Sequence, residues 1–501
     1  MLEESKGGDY SFGRQGVISL PSEAEAVSRH ALMNAQIVRG PFLNPRPDGT
    51  VAFVSDGALM ADARGRISFA GSWADLEPQL GHAPVPVTHA IGLILPPLLD
   101  CHTHIPQHPI RGRFTEGIED APPEGRLLAG LQRSVFPQEA RASDTEYAAG
   151  VIEAFRHDTL AQGVVGGAAY MTVHAGATRA ALAMLPGFWS VGLVLMNQNC
   201  PRSLRTDEDA LERDVTSLAS DFGRRFLVTD RFAVSTDTPL RRRASALAER
   251  LGLRMQTHLN EQRAEKAFVE ETLYPGYASY TDVYREDGLL AREAILAHCI
   301  HMTPGEWDMA ADAGAVVAHC PTSNTLLGSG TMPLDILRAH NIPYAICTDV
   351  GASPTTSLLS EMAQFLVVHA GRSRFAAPQE ALWHATRGPA QILGLSDRLG
   401  SFDVGKPLSY IIADCRPFIG SNTPVDTVIA DGLLAMPSVL SSQPALDRLA
   451  ADGLPYGAAL SQIAADVHAT ASRLEGRIQR VVLDGQTLWE RPGHAAAQRV
   501  R

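Results

Sequence analysis

Between Ala31 and Gly71, apolar and polar residues alternate in short runs: ALMNAQIV, then VAFVSDGALMADARGRISFAG. The Asp62-x-Arg64-Gly65 step inside the second run predicts a tight turn between two strands. From Leu95 to about residue 397 the pattern changes. Short apolar runs (SVGLVLMN, RMQTHL, AILAHC, GAVVAHC, PYAICTD) alternate with alanine-rich stretches of helical spacing, such as DTEYAAGVIEAFRHDTLAQG and RRRASALAERLG. Runs that are apolar on both faces suit buried parallel strands. Strand and helix alternating over roughly 300 residues predict a (β/α)8 barrel, with a doubly wound sheet as the alternative.

Beyond the barrel, SDRLGSFDVGKPLSYIIADCRP, VDTVIADG and RVVLDGQTLWE return to a strand pattern, and an alanine-rich helical insertion (about 446–474) precedes the last of them. The expected organisation is an irregular arm (1–29), one part of a small β-sandwich (30–94), the barrel (95–400), and the rest of the sandwich with its helical insertion (401–501). The N-terminal strands are expected to pair with the C-terminal ones.

Composition narrows the class of protein. The chain has 501 residues, 45% of them hydrophobic, and a formal net charge of -12 with no basic block. Nucleic acid is therefore not an expected partner. No apolar run approaches the roughly 18 residues of a membrane span, and MLEESKGGDYSFG lacks a signal-like pattern, so a soluble cytoplasmic protein is expected. The six cysteines (Cys101, Cys200, Cys299, Cys320, Cys347, Cys415) stand singly, without a Cys-x-x-Cys pair. That spacing argues against a zinc ribbon, a disulfide framework and the small zinc deaminase module.

Candidate chemistry concentrates at strand ends. In LPPLLDCHTHIPQ, Asp100, His102 and His104 alternate, and on a strand both histidines then point the same way. Three further strands end in Thr257-His258 followed by Glu261, in Ala297-His298, and in Thr348-Asp349. Barrel strands converge at their C-terminal ends. His102, His104, His258 and Asp349 are thus expected to meet as three neutral nitrogens and one carboxylate, a set that suits zinc or ferrous iron with a position left for water. The three lysines are Lys6, Lys266 and Lys406, and none lies between His104 and His258, so a lysine-bridged metal pair is not expected. An ion held there acidifies water. Asp349 can take its proton, Glu261 can protonate a ring nitrogen and then the leaving group, and His298 can hold the water or polarise the developing oxyanion.

These residues carry a resemblance. LPPLLDCHTHIP, HLNE, AHCIHMTP, VVAHCPTSNTLLGSG and CTDVGASPTTSLLSEM resemble the amidohydrolase superfamily. Pro106-Gln107, RFAVSTD and HLNEQRAEKAFVEETLYPGYASYTDVYREDGLL are similar to its guanine deaminase family. The resemblance implies one zinc per chain on His102, His104, His258 and Asp349. It implies Glu261 and Asp349 as the proton-transfer pair, and His298 near the water. Gln107 and Arg231 are implied to bind purine edges while Phe232 packs on the ring, and the assembly is implied to be a homodimer. His319 and Asn324 are expected to brace the rim.

The chain departs from the family pattern at several positions. GRLLAGLQRSVFP has Gly130 and no Trp, His108 follows Gln107 where an aromatic is common, Cys299 stands where a glycine is usual, and Ser409 replaces an Asp. The first two departures are expected to widen or reshape the pocket. The expected reaction is hydrolytic deamination of a fused-ring amine such as guanine. A related hydrolase of a pterin, triazine, chlorinated ring or cyclic amide is the alternative, and a non-catalytic scaffold the minor one.

Overall fold

The computed structural model describes residues 35–81, 85–118, 125–415, 422–436, 456–493 and 498–500. The expected arm (1–29) and residues 446–455 of the insertion lie outside the described residues. The N-terminal strands are β1 (Gln36–Pro45), β2 (Val51–Ala61), β3 (Ile67–Ser72), β4 (Pro86–His89) and β5 (Leu93–Leu95). The expected turn closes β2 onto β3: Gly65 has φ +74°, its N–H donates to the Asp62 carbonyl at 2.9 Å, and the Asp62 carboxylate accepts from Arg64 N at 2.8 Å. Glycine reaches that backbone region without the steric cost of a Cβ.

The barrel strands are β6 (Leu98–His104), β7 (Val164–Tyr170), β8 (Trp189–Leu195), β9 (Phe226–Asp230), β10 (Arg254–Leu259), β11 (Ile295–His298), β12 (Val316–His319) and β13 (Tyr344–Ile346). They lie side by side in chain order, with all neighbours parallel. A doubly wound sheet reverses its strand order partway across, and this sheet does not. Every residue of β6, β7, β9, β11, β12 and β13 is buried, which is why β11, β12 and β13 read as apolar up to their C-terminal ends. Two backbone bonds join the ends of the sheet, His104 N to Val350 O at 2.8 Å and Asp349 N to His102 O at 2.9 Å.

The remaining strands are β14 (Tyr410–Ala413), β15 (Ile478–Leu483), β16 (Gln486–Glu490) and β17 (Gln498–Val500). As expected, they complete the N-terminal sheet: β14 runs antiparallel to β5, and β17 antiparallel to β4. Ser409 has a scaffold role here, its hydroxyl accepting from Asp484 N at 3.0 Å in the turn between β15 and β16.

One expected strand is corrected. VDTVIADG is helical, with Val425–Thr427 running into a wide turn over Val428–Leu433. Pro424, at φ -58°, presets the first turn, and Val428, Ile429 and Leu433 bury a helical face. The described part of the insertion is the helix Tyr456–Leu474, which buries Ile463, Val467, Ala471 and Leu474. It packs on Pro321–Leu326 and Leu358–His369, helices that follow β12 and β13 at the rim.

Inside the barrel, contacts are close enough to forbid added volume. A Cβ at Gly192 on β8 would lie 1.7 Å from Thr229 Oγ1 and 2.6 Å from Gln256 Nε2. Both side chains are buried and hydrogen-bonded to each other at 2.9 Å. Gly192→Ala is therefore expected to cost about 1–3 kcal/mol through overpacking. An unchanged denaturation midpoint would contradict this account.

Candidate active site

The mouth of the barrel is built from non-glycine residues in left-handed backbone. Asn260 (φ +52°), His298 (φ +71°), Cys299 (φ +51°) and Asp349 (φ +53°) all follow or end barrel strands. Each such residue costs of order 1–3 kcal/mol, and such strain clusters where geometry serves function. Cys299, where a glycine was expected, holds the same backbone region at greater cost. The pairing register also shifts between Asp100 and Thr103 on β6, a bulge-like irregularity that re-aims the histidine pair.

The structure brings the four expected donors together. His102, His104, His258 and Asp349 are all buried, and one potential ligand atom from each lies within 4.8 Å of the others. His102 Nε2 and His104 Nε2 are 3.3 and 3.1 Å from Asp349 Oδ1. His258 Nδ1 is 2.6 Å from the Arg231 carbonyl, which keeps a proton on that nitrogen and leaves Nε2 bare. That bare Nε2 faces His104 Nε2 at 3.3 Å. His102 Nδ1 and Nε2, His104 Nδ1 and His298 Nε2 are buried without a hydrogen-bond partner. Orphaned imidazole nitrogens beside a carboxylate fit a divalent cation.

Burial keeps the rings in the form that ligates. Desolvation lowers His102, pushes His104 down to about 4 and takes His258 well below the usual histidine range. Burial pushes the Asp349 carboxyl up, but the close approach of the His102 and His104 rings outweighs it and holds the group well below the carboxylate range. Ser323 Oγ also donates to Asp349 Oδ2 at 2.6 Å.

Glu261 is a buried pocket-lining acid at 2% exposure. Burial first, then the charge of Asp349, raises its pKa to about 8. Its Oε2 is 3.6 Å from His298 Nε2, and Ser329 Oγ donates to its Oε1 at 3.3 Å. Glu265 fixes its backbone by accepting from Glu261 N and Gln262 N at 2.9 and 3.0 Å, while Tyr280 OH holds Glu265. His298 Nδ1 meets Asn324 Oδ1 at 2.9 Å, and its Nε2 is 4.0 Å from Asp349 Oδ2. His319 instead pairs with His369 at 3.0 Å.

Gln107, Arg231 and Phe232 line the same cavity, with Phe114, Leu127, Leu131, Leu327 and Ala352 as its apolar walls. The structure places the two departures expected to widen or reshape the pocket. His108 turns away from the cavity onto Asp158 at 3.0 Å. Phe114 fills the space beside Gly130, where a Cβ would lie 2.2 Å from its ring.

Several supporting residues were not foreseen. Glu265 had a local signal, the Gln262-x-x-Glu265 capping box, which the structure forms in full. Tyr284 OH donates to Asp230 at 2.7 Å, behind the site. Glu139, Ser323 and Ser329 meet their partners only across long sequence separations, and no local pattern marks them.

A barrel with three imidazoles and a carboxylate at its C-terminal mouth is the frame of a metal-dependent hydrolase. Residues 93–435 match the amidohydrolase family, and the chain belongs to that family. It is 29% identical over 397 residues to the guanine deaminase of Escherichia coli, covering 75% of this chain and 87% of that protein. It is 32% identical over 398 residues to a probable guanine deaminase of Deinococcus radiodurans, covering 77% and 87%. The solved E. coli guanine deaminase superposes with a TM-score of 0.71 at 26% identity, covering 91% of this chain and 99% of that one.

Ligand binding to the folded state alone stabilises it, by about 2.7 kcal/mol at a hundredfold excess over Kd. A chelator is therefore expected to lower the melting temperature of the metal-loaded protein, and added divalent ion to restore it. Asp349→Asn is expected to purify with little metal and to show no such shift. A chelator response that survives the substitution would remove Asp349 from the ligand set.

Proposed function

We propose that this chain is a zinc-dependent aminohydrolase that converts guanine and water to xanthine and ammonia, a step of purine breakdown. The reading is carried by one observation: His104, His258 and Asp349 of the donor cluster, the acid Glu261 and the Gln107–Arg231–Phe232 edge all line one cavity. Guanine deaminases among the chain's relatives support the choice of substrate. The four donors suit one zinc, with ferrous iron compatible with the same set. The cytoplasm as location rests on the sequence pattern described above, and a homodimer as assembly on the resemblance alone; no helix among the described residues is long and apolar enough to cross a membrane.

A divalent ion on His102, His104, His258 and Asp349 supplies an acidified water at neutral pH. The protein's own groups do the rest. Arg231 and Gln107 hold the ring edge, Phe232 packs beside it, and the apolar walls exclude solvent. Asp349 accepts a proton from the attacking water. Glu261, held protonated by burial, donates to the ring nitrogen next to the carbon under attack. With the Asn324 carbonyl oxygen on its Nδ1, a neutral His298 offers Nε2 only as an acceptor. Of its two expected roles, holding the water therefore fits, and donating to an oxyanion requires a protonated ring. The water oxygen becomes the new ring carbonyl and the carbon–amine bond breaks. One water proton ends on the ring nitrogen and the other on the departing ammonia.

Ammonia release from guanine by the zinc-loaded protein tests this reading. Zinc-loaded protein inert on guanine but active on a triazine, a chlorinated ring or a cyclic amide would replace it. Glu261→Gln is expected to keep its metal and lose about 10² to 10⁴ in kcat, and unchanged kcat would refute its role. Arg231→Ala is expected to raise KM more than it lowers kcat, as removal of uniform binding does. A loss confined to thermal stability would make that residue structural.

A further inference from the structure

Glu139 lies outside the cavity lining, yet it touches both polar residues expected to read the substrate's edge. It is fully buried. Its Oε1 accepts from Gln107 Nε2 at 2.8 Å, and both of its oxygens accept from Arg231 Nη1 at 2.8 Å. The Arg231 guanidinium also sits over the Phe136 ring, 5.4 Å from its centre. Phe136 and Glu139 share the short helix Phe136–Ala140, so one element fixes the guanidinium from two sides.

Two consequences follow from the chemistry. The first concerns direction. Gln107 must turn its amide nitrogen toward the carboxylate, which leaves Oε1 facing Gly351 N at 3.4 Å. A carboxylate only accepts, so the arrangement cannot invert. The second concerns charge. Both bonds leave from Nη1, so Nη2 and Nε are not engaged by Glu139. Arg231 can donate there to a ring carbonyl or ring nitrogen, while its positive charge is already balanced by a buried partner. An anion docking on the same guanidinium meets the Glu139 charge in a site with little water to screen it.

We propose that Glu139 is the positioning residue of the substrate edge. It presets Gln107 and Arg231 and makes the pocket select neutral heterocycles with an acceptor edge over anionic ones of the same size. The proposal rests on the deaminase reading given above. It assigns to that site a basis for choosing among ring substrates.

The test uses the zinc-loaded full chain and its Glu139→Gln and Glu139→Asp variants. Guanine is the substrate, and binding of pterin is compared with binding of 6-carboxypterin. Replacing the acid by an amide removes the balancing charge and lets the Gln107 amide turn over. KM for guanine is expected to rise about tenfold or more with kcat changed less than about threefold, since the loss falls on binding. Preference for the carboxylated ring over pterin is expected to rise by a similar factor. Glu139→Asp keeps the charge, so it is expected to keep the wild-type preference for the neutral ring while KM rises. If Glu139→Gln does not fold, Glu139→Asp carries the test: a preference shifted toward the anion, or an unchanged KM, overturns the proposal. Unchanged KM in Glu139→Gln, or a fall in kcat with no change in the neutral-to-anionic ratio, overturns it as well. Wild-type protein that holds zinc but leaves guanine untouched defeats the deaminase reading instead, and the paired ring-binding ratios still decide the role of Glu139.

Discussion

The seam between the first and last strands of the barrel is the constraint on which the site depends. Asp100 stitches it from inside: its Oδ1 accepts from His102 N and Thr348 N, both at 3.2 Å, and its Oδ2 from Thr348 Oγ1 at 2.5 Å. Two backbone bonds continue the seam, His104 to Val350 and Asp349 to His102. The residues bonded across it are therefore two of the imidazole donors and the carboxylate donor, or residues within two positions of them. Closing the barrel and assembling most of the donor set are one event. A seam of this kind can hold Asp349 in left-handed backbone, because several bonds over-determine a conformation that one bond could not.

The electrostatics follow from that compression. Burial raises Asp100 to about 7, Glu265 to about 7 and Glu261 to about 8, while Asp349 stays ionised among neutral rings. Among the described residues lining the cavity, Arg231 is the one arginine or lysine, and its charge is already met by Glu139. Buried carboxyls outnumber the cations available to them. Such a site favours a multivalent cation at the donor cluster and a proton on Glu261. A metal-assisted hydrolysis needs both conditions at once: a strong Lewis acid for the water and a neutral acid for the leaving group.

Much of this was legible in the sequence because it is periodic. A buried parallel strand is apolar on both faces, so β8, β11, β12 and β13 stood out as continuous runs, and the polar residues at or just beyond the C-terminal ends of β10, β11 and β13 marked the mouth. The Asp62 to Gly65 turn was legible for the same local reason. VDTVIADG misled because β-branched residues favour strands intrinsically, whereas here a preceding proline and a buried helical face decide. Glu139 was silent because its partners are 32 and 92 residues away and the helix carrying it is one turn long. His108 was misread for a related reason. Adjacency to Gln107 suggested a place in the pocket, but the short helical turn Ile105–Ile110 sends neighbouring side chains to opposite sides, and His108 reaches the helix Thr145–Ala161.

Gly130 shows how a departure in composition can leave a pocket unchanged in kind. Read alone, an aromatic lost from the wall means a larger cavity. In the structure the ring arrives from elsewhere in the chain: Phe114 lies against the Gly130 backbone, where a Cβ would come within 2.2 Å of its ring and 3.0 Å of its carbonyl oxygen. The two positions are therefore coupled. A side chain at residue 130 and the present place of the Phe114 ring exclude one another, so either arrangement yields an apolar wall and the two together do not fit. With Phe114 and Phe232 both lining the cavity, its aromatic walls suit a flat ring. The polar residues then decide which flat ring enters, and the donor cluster what happens to it.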